Sequence, residues 1–225
     1  MTTHRRIAVG ILLIFFGVMI HDIGTSYFEY QGYNPAWMSN VVQNFQEYGI
    51  AELNFRETRS TGDVPLEYVR YRNRHLPMPA YFTAALTYPA GVSETTVRLA
   101  SVFAMLISAA AFYVLVRRLF SERIALWALV LYALTPMMGY YGRMSSHEPF
   151  ALMMIMLFAI SWLNWLRAPS LRYFLVMLLT GMIAAITAWS VLAFLGVFGP
   201  LTLILGTWRQ RVGITLTGVI CGLLL

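Results

Sequence analysis

Lysine is missing from this chain, cysteine occurs once, and charge of either sign is scarce. The 16 cationic side chains are all arginines, set against 10 acids, and only 12% of the 225 residues are charged. Soluble domains carry about a quarter charged residues, so this shortage excludes an ordinary water-soluble enzyme. The lone Cys221 lies in an apolar run, which excludes a disulfide framework and a cysteine-based zinc site. There is no glycine-rich phosphate loop, no nucleophile elbow and no metal-spaced His/Cys cluster. Internal repeats and low-complexity tracts are also absent. What the chain has in quantity is apolar surface: 59% hydrophobic residues and a mean hydropathy of +0.64. It reads as a polytopic membrane protein of all-α class, a helical bundle.

Apolar runs of helix length lie at about residues 7–24, 95–116, 124–141, 149–166, 173–188, 191–207 and 212–225. The last run stops without a polar flank, so a fragment whose C-terminal half is absent is expected. The start, MTTHRR before Ile7–Ile20, also fits a secretory signal peptide, although the later spans favour a retained first helix. With the N-terminus cytoplasmic, the inner flanks hold Arg5, Arg6, Arg117, Arg118, Arg123, Arg167, Arg172, Arg209 and Arg211. The short outer connections then hold only Arg143, as the positive-inside rule demands. The basic balance is therefore a topology signal and no nucleic-acid footprint. Arg98, one turn inside the second span, is expected to snorkel. Trp162, Trp165, Trp189 and Trp208, near span ends, are expected to form an aromatic belt.

This topology places residues 25–94 outside as one long segment, rich in aromatic residues and hence structured. Trp37, Val41, Phe45 and Tyr48 recur at helical spacing, with Ser39, Asn40, Gln43, Asn44 and Glu47 on the other side. Asn34 as N-cap, Pro35 at the first helical position and Gly49 past the end predict a short helix lying along the membrane. In Arg70-Tyr71-Arg72-Asn73-Arg74-His75, alternate arginines would share one face of an extended chain. They suit either an anionic substrate headgroup or the anionic lipids of the membrane edge.

The second outer connection, Tyr140-Tyr141-Gly142-Arg143-Met144-Ser145-Ser146-His147-Glu148-Pro149-Phe150, is too rich in chemistry for a tether. Glu148 before Pro149 suits the first turn of a helix, where the dipole favours a carboxylate. It is either a cap or a group that binds a hydroxyl or a catalytic partner. His147 could be an acid/base or simply a hydrogen-bonding residue. Arg143 could fork onto a phosphate or anchor in lipid headgroups. Asp22, near the outer end of the first span, needs a partner or water at that depth, and Glu29 follows it. His147 and Glu148 are only two adjacent residues, so a divalent metal is possible but without support. These readings leave an enzyme and a transporter equally open.

The order of further features resembles the GT-C glycosyltransferases that use lipid-phosphate sugars. It is most similar to the family-39 type of protein O-mannosyltransferases and lipid A aminoarabinose transferases. The residues that carry the resemblance begin with Tyr33-Asn34-Pro35-Ala36-Trp37 leading to Asn44-Phe45-Gln46-Glu47-Tyr48-Gly49. Arg74-His75-Leu76-Pro77-Met78-Pro79 stands where the family has a His-Pro-Pro-Leu-like step. Gly91-Val92-Ser93-Glu94 with Val97-Arg98-Leu99, then Arg117-Arg118-Leu119-Phe120, match the family's approach to its second span and its exit. Tyr141-Gly142-Arg143 with His147-Glu148 matches a Tyr-x-Arg followed by an acid.

The resemblance implies a membrane module of about seven spans and a first outer loop carrying interfacial helices. It implies transfer of a sugar from a polyprenyl-phosphate donor to the hydroxyl of an acceptor protein or glycolipid, with inversion and with no cofactor. A loop carboxylate would be the base and cationic groups would stabilise the departing phosphate. It also favours a prokaryotic plasma membrane over the endoplasmic reticulum, with the site extracytoplasmic. Many relatives carry Asp-Glu where this chain has Asn34-Pro35, and that acid is their usual base. A lysine common near the outer end of the fifth span is also replaced around Ala188-Trp189. Glu148, Asp22 and Glu29 therefore compete as catalytic carboxylates, with His147, Arg143, His75, Arg74, Asn34 and Tyr33 as substrate-binding residues. A transporter or flippase of lipid-linked sugars is the alternative, but it needs charged residues along a path through spans that here hold almost none.

Overall fold

The computed structural model describes residues 3–26, 33–62, 64–72 and 77–223. In these, every apolar run forms helix, and the order of elements is α1 (Thr3–Ile20), α2 (Tyr33–Tyr48), β1 (Glu57–Thr58), β2 (Tyr71–Arg72), α3 (Met78–Thr87), α4 (Glu94–Leu119), α5 (Glu122–Leu134), α6 (Pro136–Arg143), α7 (His147–Arg167), α8 (Leu171–Ala185), α9 (Trp189–Leu205) and α10 (Trp208–Leu223). Among the described residues, α1, α4 and α7 are long and apolar enough to cross a membrane alone. The chain is an all-α, polytopic helical protein.

The run expected as one span over 124–141 is two helices. α5 and α6 meet at a 61° bend. Pro136 causes it: the residue before a proline is pushed out of the helical region, and Thr135 sits at φ −68°, ψ 114°. Pro136 has no N–H to donate and opens α6.

α4 is the central post, with α1, α5 and α7 packed along it. Its buried residues include many small ones, Ala100, Ser101, Ala104, Ser108 and Ala109, which let neighbouring backbones approach closely, beside larger Met105 and Tyr113. Ser93 and Thr96 cap its start reciprocally, while Arg117 and Arg118 end it, complementing the helix dipole. At that far end His4 pairs with Glu122 at 3.4 Å, Arg167 donates to the Arg118 carbonyl at 2.7 Å, and Gln210 to that of Leu166 at 2.7 Å. The arginine-rich flanks of five helices thus share one end of the bundle.

Two expectations fail inside the bundle. Trp162 and Trp165 belong to no belt: both are buried beside Phe158 and Met177, because α7 faces α4 on one side and α8 on the other. The Trp162 indole donates to Thr202 Oγ1 at 2.7 Å. Trp208 is exposed, as a belt residue would be, and the Trp189 side chain lies outside the described residues. Arg98 does not snorkel either. It is 8% exposed and its guanidinium donates to the carbonyls of Ile23 and Thr25, in the turn that follows α1.

The segment between α1 and α4 forms its own small core. α2 buries Met38, Val41, Val42 and Phe45 against Leu53, Ala80, Ala84 and Val97. Its apolar face is thus spent on α3 and α4 and is not left for lipid. Helix α2 starts at Tyr33, so Asn34 and Pro35 lie inside its first turn and Asn34 is not the N-cap. Gly49 does end it, at φ +87°, a value that glycine tolerates. β1 and β2 form a two-residue antiparallel ladder, Glu57 opposite Arg72 and Thr58 opposite Tyr71. The arginine face proposed for residues 70–74 cannot be followed to its end, since Arg74 lies outside the described residues.

Candidate functional site

The YYGRMSSHEPF connection is built into the bundle on three sides. Gly142 lies so close to α1 and α4 that an added Cβ would meet Met19 Sδ at 2.9 Å and Met105 Cγ at 3.0 Å. Met144, extended, stops α6. Ser145, buried, donates to the Val97 carbonyl at 3.0 Å and ties the connection to the first turn of α4. Ser146 then starts α7 without lending its side chain as a cap. His147 and Glu148 therefore stand in the first turn of α7, held by packing on α1 and α4.

Opposite them stands the first turn of α2. Between the two helix starts lies a cleft of about 430 Å³, lined by Tyr33, Asn34, Trp37, Met38, Arg59, Ser145, Ser146, His147 and Glu148. Tyr33 and Trp37, one helical turn apart, stack at a tilt with ring centroids 6.1 Å apart. Their rings and the Asn34 amide form one wall; the other is the serine–histidine–glutamate turn.

Arg59, just past β1, also lines the cleft, and helix α2 sets the place of its backbone. The Asn44 side chain donates to Thr58 Oγ1 and to the Ser60 carbonyl at 3.0 Å, and Asn40 donates to the same carbonyl at 2.7 Å. Asn44 was expected on the outer face of α2, yet it is buried, because the strand it holds covers it. No ion pair joins Arg59 to Glu148 among the described residues.

The cleft thus unites four of the residues singled out from sequence: Tyr33, Asn34, His147 and Glu148. Arg143 ends α6, half-buried, and is not among the lining residues. Asp22 is exposed at the exit of α1, with φ 55°, and pairs with His21 at 3.1 Å; the partner it needs is this neighbour, and it does not line the cleft. Glu29, Arg74 and His75 lie outside the described residues. Sequence reasoning missed Arg59, Ser145 and Ser146. For Arg59 the only available signal was the Asn40/Asn44 pair, two amides one turn apart on a face otherwise free to be apolar. His147 and Glu148 gather no third metal-type side chain among the described residues.

A cleft with aromatic faces, an amide, a carboxylate and a cation can receive a ligand that is both hydroxylated and anionic. The family model for dolichyl-phosphate-mannose-protein mannosyltransferases matches residues 74–225, more than half of the chain. The chain belongs to that family. It is a membrane glycosyltransferase of the mannosyltransferase type with a GT-C-like fold, and a lipid-linked sugar donor and an acceptor follow in general from that membership. The match begins beyond α2 and Arg59, so one wall of the cleft lies outside it. No curated protein matches the chain.

Proposed function

We propose that this chain transfers a sugar from a polyprenyl-phosphate donor to a hydroxyl of an acceptor protein or glycolipid, on the extracytoplasmic side of a prokaryotic plasma membrane. The observation that carries the reading is the position of Glu148: an exposed carboxylate in a built cleft, facing aromatic rings and an amide suited to a sugar. The acceptor oxygen attacks the anomeric carbon as the bond from that carbon to the phosphate oxygen breaks. The electron pair leaves with polyprenyl phosphate, and Glu148 takes the acceptor's proton. Attack opposite the leaving group inverts the anomeric centre. The arginine-rich end of the bundle lies opposite the cleft, and under the positive-inside rule that end is cytoplasmic. Sugar and acceptor classes rest on the family alone, and the reaction draws on no cofactor.

The test uses the full-length protein in membranes supplied with radiolabelled polyprenyl-phosphate sugars. Transfer of label with release of polyprenyl phosphate is the expected result. Movement of the intact lipid-linked sugar across the bilayer, without transfer, would replace this reading with that of a flippase.

A further inference from the structure

We propose that Arg59 is the phosphate-binding cation of this cleft, and that Asn40 and Asn44 are positioning residues that hold it there. The proposal rests on the glycosyltransferase reading of the same cleft and adds to it the residue that meets the anionic part of the donor.

An arginine in an outer loop is ordinarily a solvated charge. Arg59 differs in two ways. It lines the same cleft as His147 and Glu148. Its backbone is also fixed on both sides. Thr58 is held by Asn44, Ser60 by Asn40 and Asn44 together, and the Arg59 N–H donates to the Arg70 carbonyl at 2.6 Å. Ser60 Oγ in turn accepts from the Arg70 N–H at 2.9 Å. With the backbone fixed, only the side-chain rotamers of Arg59, which is exposed, remain to be ordered when it grips a ligand.

The amide of Asn44 supports this assignment. It is 4% exposed where the strand covers α2, a position at which a leucine or methionine would pack without a polar atom to satisfy. What the amide adds is register: it fixes which residue of the passing strand turns to the cleft. Residue 59 is the one so presented, and it is a cation. The guanidinium offers a fork of donors that matches two phosphate oxygens, while Glu148 remains for the acceptor hydroxyl.

The experiment measures equilibrium binding of polyprenyl phosphate to the full-length protein in phosphatidylcholine nanodiscs, beside sugar transfer. Polyprenol, which lacks the phosphate, is the control ligand, and a second arm adds phosphatidylglycerol as competitor. Arg59→Ala is expected to weaken polyprenyl phosphate binding about ten-fold or more and to leave polyprenol binding unchanged. Arg59→Lys, which keeps the charge and loses the fork, falls between. Asn44→Ala weakens binding several-fold in the Arg59 background and has no further effect in Arg59→Ala, the signature of action through that arginine.

Equal binding by Arg59→Ala and wild type would overturn the proposal. So would additive losses in the double variant, or displacement by phosphatidylglycerol as effective as that by polyprenyl phosphate. If wild type binds polyprenyl phosphate through Arg59 but transfers no sugar, the binding assignment stands and the transferase reading fails.

Discussion

The guanidinium of Arg98 donates to the carbonyl of Ile23 at 2.8 Å, joining the start of α4 to the exit of α1. The two residues are far apart in sequence, and the contact fixes where the chain leaves the bundle toward the outer segment. The turn after α1 supplies the carbonyls and the start of α4 supplies the donor. Arg98→Ala removes the donor that ties both carbonyls to the buried start of α4 and leaves them to water. A loss of about 1–2 kcal/mol is expected in unfolding from detergent, as for loss of a charge-assisted hydrogen bond whose acceptors water can reach. Arg98→Lys should recover part of it, since an ammonium has fewer donors and no fork.

Close packing under the connection yields a second outcome. Gly142→Ala drives a Cβ against Met19 and Met105, and overpacking of this kind costs about 1–3 kcal/mol. Because Gly142 precedes His147 and Glu148 on the same connection, transfer activity should fall with stability. Gly139→Ala, on the same helix with nothing within 4 Å, should be neutral or stabilise by up to about 1 kcal/mol. Thermal melting of the two variants beside wild type separates them.

Burial separates the tryptophans. Trp162→Phe removes the bond to Thr202 and should cost about 1–2 kcal/mol, whereas exposed Trp208→Phe should change stability by less than about 0.5 kcal/mol. Equal losses in the two variants would mean that Trp162 is not packed against α9.

The outer segment carries an alkaline limit. Burial, reinforced by the nearby Glu57 carboxylate, raises the Tyr81 phenol from 10.0 to about 12, and its hydroxyl donates to the Phe55 carbonyl at 2.6 Å. The folded state binds this proton more tightly than the unfolded chain does. The associated stability is therefore fully present below pH 10.0 and is lost as pH rises toward about 12. Tyr81→Phe should remove that alkaline decline while losing the bond to Phe55. Unfolding of the outer segment, followed by limited proteolysis across this range, checks the sign.

Much of this architecture was legible in the amino-acid sequence. Length and hydropathy placed the helical runs, and the arginine count grouped the ends that His4, Arg118, Arg167 and Gln210 now join. Pro136 carried the break between α5 and α6 in plain sight, but an unbroken apolar run hid it. Tryptophans near span ends read alike whether they face lipid or a neighbouring helix, so Trp162 and Trp165 were misplaced. Asn44 was assigned outward because helical periodicity sorts polar from apolar and does not anticipate a strand that needs the amide. In the cleft, Glu148, His147, Asn34 and Tyr33 were identified by chemistry and resemblance. Arg59 was not, since one loop arginine among five is singled out only by the register of the strand beside α2.

The most direct test of the account compares Glu148→Gln with Asp22→Asn in membranes supplied with polyprenyl-phosphate sugar. Both are exposed carboxylates, but of the two only Glu148 lines the cleft. Glu148→Gln should lower the transfer rate by about 10²–10⁴-fold at unchanged expression, the range for loss of a general base, with Asp22→Asn near wild type. Full activity in Glu148→Gln, or loss confined to Asp22→Asn, would contradict the assignment of this cleft as the catalytic site.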